Sequence, residues 1–502
     1  MGQGRDRARK ATYRPRHAAR QPFEQAHTES AYDFREAESN LKAAENGIRE
    51  RQLAGLNALL SVSLPNTATP AIPTSLLVPK TQSRALTIVN DRAVRGAVAL
   101  MFSAGAAGGL AFLFWAFTAH HQDASAVGSV SAEVSSITFL AAVGSLNLSS
   151  IFARFLPVAG WYARRLILVS YSAAVLAGLL AATIFLLTPM AKGLVLGGGI
   201  GRLAFAACVV LNSVFNNQDG GLIGFGRFGW VPTENVLVAL ARLALLPLSA
   251  VFFSTRISVL WSWALPMVVA ILVVNVLVVG PLAGREAKKR PRLPSFGELG
   301  RLIAISSVTS AVYAAVSAFL PALVTRQFGL SQGGYFYVPW IITTMVVLLL
   351  TNIATSMVRE VVANPEKADF TIRRSIGLAL LVIVIVMASC SLLARLVLAP
   401  LGPSFVVHGA PLLQWASLAV PATAIIVLFR ALCLVRQRPW PAFVVNLTTS
   451  VAIVGGVLLL GSGAGISQVG MIYCIVQWVT AAVISWPTLT ALRAVRHGRE
   501  LQ

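Results

Sequence analysis

The side chains best suited to chemistry lie in one polar stretch within a long run of apolar sequence. They are Asn212, Asn216, Asp219, Glu234 and Arg242. Hydrocarbon disfavours such groups unless they face other helices or a water-filled cavity. The stretch therefore predicts the end of one membrane helix, a tight cytoplasmic turn, and a second helix that lines a path for a polar or anionic molecule.

Arg242 is the central candidate for contact with a substrate. It lies about halfway along its predicted span, so its side chain cannot easily reach water at either membrane surface. A planar guanidinium can form two parallel hydrogen bonds to a phosphate, which favours an anionic ligand. The alternative is a structural ion pair with Asp219, Glu133 or Glu234, and the sequence leaves both interpretations open.

The spacing of Asn212, Asn216 and Asp219 places them on one face of a helix. One interpretation is a polar strip that lines a cavity between two halves of the protein. The other is a seam of hydrogen bonds between helices, each worth roughly 1 kcal/mol. Both interpretations stay open at the level of sequence.

Two glutamates are candidates for taking a coupling ion, because a desolvated carboxyl group can bind a proton. Glu133 lies in the outer part of the predicted second span, and Glu234 lies at the start of the fifth. Glu234 follows Pro232 and Thr233 in the first turn, where a carboxylate complements the helix dipole. We prefer this capping role for Glu234.

Other motifs predict no catalytic or metal chemistry. No Walker A or HExxH pattern occurs, and the four cysteines have no CxxC spacing. The chain is therefore predicted to be neither an enzyme nor a cofactor or metal protein. Tyr335, Tyr337 and Trp340, near the start of the eighth span, are interpreted as part of an aromatic belt at the membrane surface rather than as a sugar-stacking platform.

The composition predicts an all-α polytopic membrane protein. Of 502 residues, 56% are apolar and 12% charged, whereas about a quarter of a soluble chain is charged. Apolar runs near the roughly twenty residues that a bilayer requires predict about twelve spans. Their approximate ranges are 94–119, 127–152, 164–188, 201–222, 231–253, 257–280, 299–325, 332–357, 373–397, 408–432, 440–460 and 465–489.

The distribution of positive charge predicts the orientation. The net charge of +22 collects in connections after even-numbered spans, so it indicates cytoplasmic loops rather than a nucleic-acid partner. Both termini are then cytoplasmic in a multi-pass protein of the cell membrane. Lys192, Arg256 and Arg326 are exceptions on the outer side.

The predicted domains follow from these spans. Residues 1–92 form a basic, largely disordered cytoplasmic tail with a possible amphipathic helix at 30–60, and its charge could contact anionic lipid headgroups. A basic connector at 284–298 separates six-helix bundles at 93–283 and 299–490. A short cytoplasmic tail, 491–502, closes the chain.

Weak internal similarity indicates that the bundles are parallel repeats. ARFLP, which contains Arg154, matches the position of MVREV, which contains Arg359. LIGFGRFGW at 222–230 likewise parallels LCLVRQRPW at 432–440. A duplicated six-helix unit accounts for both matches.

Over about residues 93–490 the chain resembles polysaccharide flippases of the O-antigen type, in the multidrug/oligosaccharidyl-lipid/polysaccharide (MOP) exporter superfamily. The resemblance is carried in order by four segments: RAVRGAVALMFSAGAAGGLAFLFWAFTA, SSITFLAAVGSLNLSSIFARFLP, QDGGLIGFGRFGWVPTENVLVALARLALLPL and GGYFYVPWIITTMVVLLLTNIATSMVREV. It implies two six-helix bundles in a V around a central cavity, with alternating access. The implied cargo is a lipid-diphosphate-linked oligosaccharide, moved to the outer leaflet for polysaccharide biosynthesis.

Under this resemblance Arg242 would bind the diphosphate, and Arg154 and Arg359 would lie at the cytoplasmic mouth of the cavity. The implied partners include a polysaccharide polymerase or glycosyltransferases.

Three alternative functions remain. Cation-coupled multidrug exporters of the superfamily use an acidic residue in the first span, and Val94–Ala119 has none. Lipid II flippases typically have more spans. A membrane scaffold for cell-wall enzymes would act through the tail at 1–92.

Overall fold

The computed structural model describes residues 105–496, apart from short gaps. The predicted tail at 1–92, its possible helix at 30–60, and the first part of the first span lie outside the described residues. All the described residues belong to one compact unit. The gaps are at 196, 228, 253–254, 287–290, 292, 294–295, 364–365, 367, 437 and 462, so much of the connector also lies outside them.

The described part of the N-terminal half contains eight α-helices, several of which continue one into the next. They are α1 (105–121), α2 (Ala124–Gly144), α3 (Leu148–Phe155), α4 (Ala163–Leu187), α5 (Gly198–Gly224), α6 (Trp230–Ala250), α7 (Thr255–Val274) and α8 (Gly280–Glu286). A π-helical turn at Asn275–Val279 joins α7 to α8 as one span.

The C-terminal half follows the same scheme. Its helices are α9 (Phe296–Ala314), α10 (Leu320–Phe328), α11 (Leu330–Ala363), α12 (Ala368–Val386), α13 (Ala394–Leu398), α14 (Pro403–Leu418), α15 (Val420–Val435), α16 (Pro439–Leu458) and α17 (Ile466–Arg496). π-helical turns at Ala315–Phe319 and Met387–Leu392 extend α9 and α12.

The predicted all-α polytopic fold is confirmed, and the described part of the chain contains no strand. Within the described residues, ten helices are long and apolar enough to cross a membrane, and α14 with α15 makes an eleventh if that pair, bent by 44°, is one span. With α1 they correspond in order to the twelve predicted spans. The last helix runs to Arg496, beyond the predicted end at 489, because the added residues are helix formers and its terminal arginines suit a helix C-terminus.

The second span is broken between α2 and α3, where Leu146 and Asn147 have left-handed backbone angles. Asn217 of α5 accepts a hydrogen bond from the backbone N–H of Ser149 and donates one to the carbonyl of Ser145, at 2.9 and 3.0 Å. Because interrupted backbone in a membrane must find such partners, Asn217 stabilises the break.

The two halves share a hydrophobic core at the predicted outer end. Buried residues of both halves belong to it, among them Trp115 and Val130 from the first half and Tyr337 and Phe405 from the second. The closest approach is between α2 and the start of α11. A Cβ atom at Gly128 would collide with the carbonyl oxygen of Leu330, so only glycine permits this crossing.

At the predicted cytoplasmic end each half has a core of its own. Phe152 and Leu222 pack with N-terminal residues, and Met357 and Leu432 pack with C-terminal residues. The start of α9, through residues such as Leu302, packs against the N-terminal half. The halves are therefore joined firmly at one end and less extensively at the other.

Candidate functional site

A cavity of about 370 Å³ lies between the two halves. Helices α1, α2, α5, α6 and α7 form one side of it, and the segment from α9 to α11 forms the other. Among the described residues that line it there is no aspartate or glutamate. Its polar and aromatic lining includes Ser135, Thr138, Asn212, Asn216, Asn235, Arg242, Trp263, Tyr313, Ser317, Tyr337, Trp340 and Thr344.

Arg242 is the charged group in this lining. Its Nε donates a hydrogen bond to the carbonyl oxygen of Trp263 at 3.0 Å, and its Cζ lies 4.7 Å from the centroid of the Trp263 ring. Among the described residues, no acceptor bonds the terminal nitrogens of the guanidinium. The indole and the carbonyl thus hold the side chain while leaving its planar end available to the cavity.

The predicted alternative for Arg242, an ion pair with Glu133, is not what the structure shows. Glu133 is buried and its Oε2 accepts hydrogen bonds from Nε and Nη2 of Arg256, at 2.8 and 2.7 Å. Nη2 of Arg256 also donates to the carbonyl of Leu194 at 2.6 Å. This pairing explains why Arg256 departs from the charge pattern of the outer loops.

Glu234 belongs to a buried polar network between α4, α5, α6 and the π-helical turn after α7. It accepts a hydrogen bond from Nε2 of Gln218, whose Oε1 accepts from Asn275 at 2.7 Å. Asn275 in turn accepts from the hydroxyl of Tyr171 at 3.1 Å. The capping role that we preferred for Glu234 is wrong, because α6 has no side-chain cap and the carboxyl group turns inward to Gln218.

The polar face of α5 divides between two environments. Asn212 and Asn216 line the cavity. Asp219, one turn further along, is buried outside that lining, and its Oδ2 accepts a hydrogen bond of 3.4 Å from Asn235 of α6. The cavity interpretation therefore fits the first two residues, and the interhelical interpretation fits Asp219.

Arg154 and Arg359 lie near the predicted cytoplasmic ends of α3 and α11. Both are half-buried, and neither lines the central cavity. The guanidinium of Arg154 lies 4.8 Å from the centroid of the Phe155 ring. Contact of Arg154 and Arg359 with a substrate therefore stays a prediction. It would require a state in which the cavity extends to them.

Two of the aromatic residues assigned to a membrane-surface belt are instead buried around the cavity. Tyr337 and Trp340 are 8% and 3% exposed, and the indole N–H of Trp340 donates to the carbonyl of Ser317 at 3.1 Å. The belt interpretation is wrong for these two because α11 packs along α2 in the centre of the protein. Half-buried Tyr335 stacks on His408 with ring centroids 4.4 Å apart.

Several residues of the site were missed by sequence reasoning. Gln218 and Asn275 complete the network around Glu234, and Trp263 positions Arg242. Arg430, on α15, lines a second pocket. The signal for Arg430 was present, since it is a charged residue inside an apolar span like Arg242. Nothing in the local sequence distinguishes Trp263 from other membrane tryptophans.

Comparisons with known proteins identify the fold. No family model matches the chain, and no curated protein matches it. An inward-facing multidrug resistance MATE family transporter of the MOP superfamily matches with a TM-score of 0.57 and 17% identity, over 79% of this chain and 96% of that one. An outward-facing structure of such a transporter matches with 0.53 and 17%, over 81% and 97%.

A MOP superfamily transporter from Pyrococcus furiosus, described by the reverse polarity of its binding pocket, matches with a TM-score of 0.56 and 17% identity. The match covers 80% of this chain and 96% of that chain. At this level of identity the similarity establishes the fold. The chain is therefore a multi-pass membrane protein with the fold of MOP superfamily transporters.

Proposed function

We propose that this protein is a flippase that moves a lipid-diphosphate-linked oligosaccharide from the cytoplasmic to the outer leaflet of the cell membrane, by alternating access, for cell-surface polysaccharide biosynthesis. The observation that carries the proposal is the polarity of the central cavity. Arg242 supplies positive charge there, and no carboxylate among the described residues lines it. The proposal places both termini in the cytoplasm.

The cavity chemistry suits such a cargo group by group. A diphosphate needs charge-assisted hydrogen bonds, which the guanidinium of Arg242 can donate as a planar pair. Amides and hydroxyls such as Asn212, Asn216 and Ser317 can bond to sugar hydroxyls. The apolar chain of the lipid can stay in the bilayer while the headgroup crosses.

The packing of the two halves supports a transport cycle. The shared core and the glycine crossing close the predicted outer end, while the cores at the other end are separate. In this state a headgroup would enter from the predicted cytoplasmic side. Solved transporters of the same fold are described as inward-facing and outward-facing, which supports alternating access for this chain.

A cation-coupled multidrug exporter is the second candidate, because the similar solved structures include multidrug transporters. A cationic drug would need a negative or neutral aromatic cavity, whereas this one presents a guanidinium. A lipid II flippase would share the diphosphate chemistry, so the cavity charge favours both lipid-linked cargoes over a cationic drug.

For ion coupling, Glu234 is the better of the two predicted carboxylates. Glu133 is neutralised by Arg256, so taking up a proton would break an ion pair. Oε2 of Glu234 is buried without a hydrogen-bond partner among the described residues, and its other oxygen is held by Gln218. We therefore assign proton uptake to Glu234.

The test is reconstitution with two cargoes. Proteoliposomes would be assayed for transbilayer movement of a fluorescent lipid-diphosphate oligosaccharide and for efflux of a cationic dye. We expect movement of the lipid and no dye transport, with lipid movement lost in Arg242→Ala and kept in Arg202→Ala, an exposed arginine of α5. Dye efflux without lipid movement would favour the multidrug alternative.

A further inference from the structure

A second polar pocket, of about 80 Å³, lies within the C-terminal half. It adjoins the central cavity, with which it shares the lining residues Tyr313, Ser317, Trp340 and Thr344. Its own lining is rich in hydroxyl and amide groups. These are Thr343, Thr423, Asn446, Thr449, Ser450, Tyr473 and Gln477.

Arg430 is the charged residue of this pocket, and it is only 8% exposed. Its Cζ lies 5.3 Å from the centroid of the Tyr313 ring. No side chain or carbonyl among the described residues accepts a hydrogen bond from it. Its guanidinium lines the pocket, and guanidinium donors without protein acceptors are normally matched by water, an ion or a ligand.

Among the described residues that line this pocket, none is an aspartate or a glutamate. No aspartate or glutamate occurs between Glu298 and Glu360, or between Asp369 and Glu500. Glu360 lies 13 residues beyond Val347, the lining residue nearest to it on α11, which corresponds to about 20 Å along the helix. The described lining of the pocket therefore offers Arg430 no negatively charged partner.

The remaining lining selects a small ligand. A pocket of about 80 Å³ has room for a compact anion such as phosphate. Hydroxyl groups of Thr423, Thr449 and Ser450 can turn their hydrogens toward an anion. Nδ2 of Asn446 is a buried donor without a partner among the described residues.

We propose that the Arg430 pocket binds an anionic group no larger than a phosphate, at a site separate from Arg242. This site does not depend on the proposed flippase function. The anion has two sources, a free inorganic ion or the phosphate headgroup of a lipid that reaches through the central cavity. The chemistry is the same for both, and they are separated by experiment.

The experiment is a thermal unfolding titration of the purified protein in detergent, starting in gluconate, an anion bulkier than chloride or phosphate. One arm adds chloride or phosphate, and the other adds a phosphatidic acid in mixed micelles. We expect a rise in Tm of about 2 °C or more that Arg430→Gln abolishes and Arg430→Lys partly retains. Arg395→Gln, which changes an exposed arginine of α13, is the matched control.

The outcomes separate the sources. A rise with chloride or phosphate that depends on Arg430 assigns the site to a free ion, and a rise only with the lipid assigns it to a headgroup. Equal rises in the native protein and Arg430→Gln would overturn the proposal. The titration is repeated in an Arg242→Gln background, so that binding at Arg242 cannot account for the signal.

A structural measurement covers the case in which Arg430→Gln does not fold. Crystals of the native protein soaked in bromide should show an anomalous peak at hydrogen-bond distance from the guanidinium of Arg430. Peaks confined to the surface or to Arg242 would contradict the proposal. Neither experiment measures transport, so failure of the flippase proposal would leave this result standing.

Discussion

Two arginines on successive helices of the N-terminal half are treated by the fold in opposite ways. Near the predicted outer end, Arg256 is bonded twice to the buried carboxylate of Glu133. In the central cavity, Arg242 is held by the carbonyl and ring of Trp263, with no carboxylate beside it. A membrane arginine that is paired with a carboxylate stabilises the contact between helices. An arginine that is held in position without a neighbouring carboxylate can bind an anionic ligand.

Arg430 in the C-terminal half belongs with Arg242 in this comparison. It is also held against an aromatic ring and has no carboxylate among its pocket residues. The N-terminal half, by contrast, buries Glu133, Asp219 and Glu234. The two halves therefore have similar folds but differ in their buried charged residues.

Breaking the Arg256 pair should have the largest effect on stability. Glu133→Ala leaves a guanidinium without its partner, which typically costs about 3–5 kcal/mol. Removing both groups in Glu133→Ala/Arg256→Ala should cost less than removing Glu133 alone. The measurement is thermal unfolding of the single and double variants. If the double variant were the least stable, the pair would not be the fastening contact described here.

Widening the glycine crossing should have the next largest effect. Gly128→Ala forces α2 away from Leu330, and such overpacking typically costs about 1–3 kcal/mol. Because the crossing closes the predicted outer end, a cysteine at Thr138 in the cavity should become more reactive to an impermeant reagent added outside. Gly109→Ala, where an added Cβ meets nothing within 4 Å, is the control and should leave labelling unchanged.

Removing Arg242 should change stability little. Arg242→Ala loses one hydrogen bond and one ring contact, together worth about 1–2 kcal/mol, and leaves no carboxylate unpaired. This loss should be smaller than that of Glu133→Ala in the same unfolding assay. An equal or larger loss would mean that Arg242 fastens helices as Arg256 does.

Neutralising Glu234 should have the smallest effect on stability. Glu234→Gln can still accept the hydrogen bond from Gln218, so we expect a change below about 1 kcal/mol. Lipid movement in proteoliposomes should then no longer respond to an imposed pH gradient. A variant that still responds would remove Glu234 from the coupling step.

The global architecture could be predicted because it follows from composition and periodicity. Apolar runs of bilayer length define the helices, and those predicted for 231–253 and 440–460 agree with α6 and α16 within a few residues. The depth of Arg242 in an apolar span marks it as a candidate for a cavity lining, although the sequence equally allows a structural ion pair. The lengths of the spans depend on the thickness of the hydrocarbon core, which is the same for every helix that crosses it.

The partners of individual side chains could not be predicted, because they depend on which helices meet. From the sequence Glu234 is interpreted as a capping residue, whereas in the structure α5 places Gln218 opposite its carboxyl group. From the sequence Tyr337 and Trp340 are interpreted as aromatic residues at the membrane surface, whereas in the structure α11 lies in the centre of the protein and buries both. The pairing of Glu133 with Arg256 joins residues 123 positions apart, which no local pattern records.

The proposed role of Arg242 is to bind an anionic headgroup with its charged guanidinium, and a binding measurement tests this role most directly. Affinity of the purified protein for a fluorescent lipid-diphosphate oligosaccharide would be measured beside that for the same lipid without phosphates. We predict tight binding of the diphosphate to the native protein and to Arg202→Ala, weakened at least about tenfold in Arg242→Ala, as the loss of a charge-assisted pair implies. Equal affinity of Arg242→Ala and the native protein would contradict the claim.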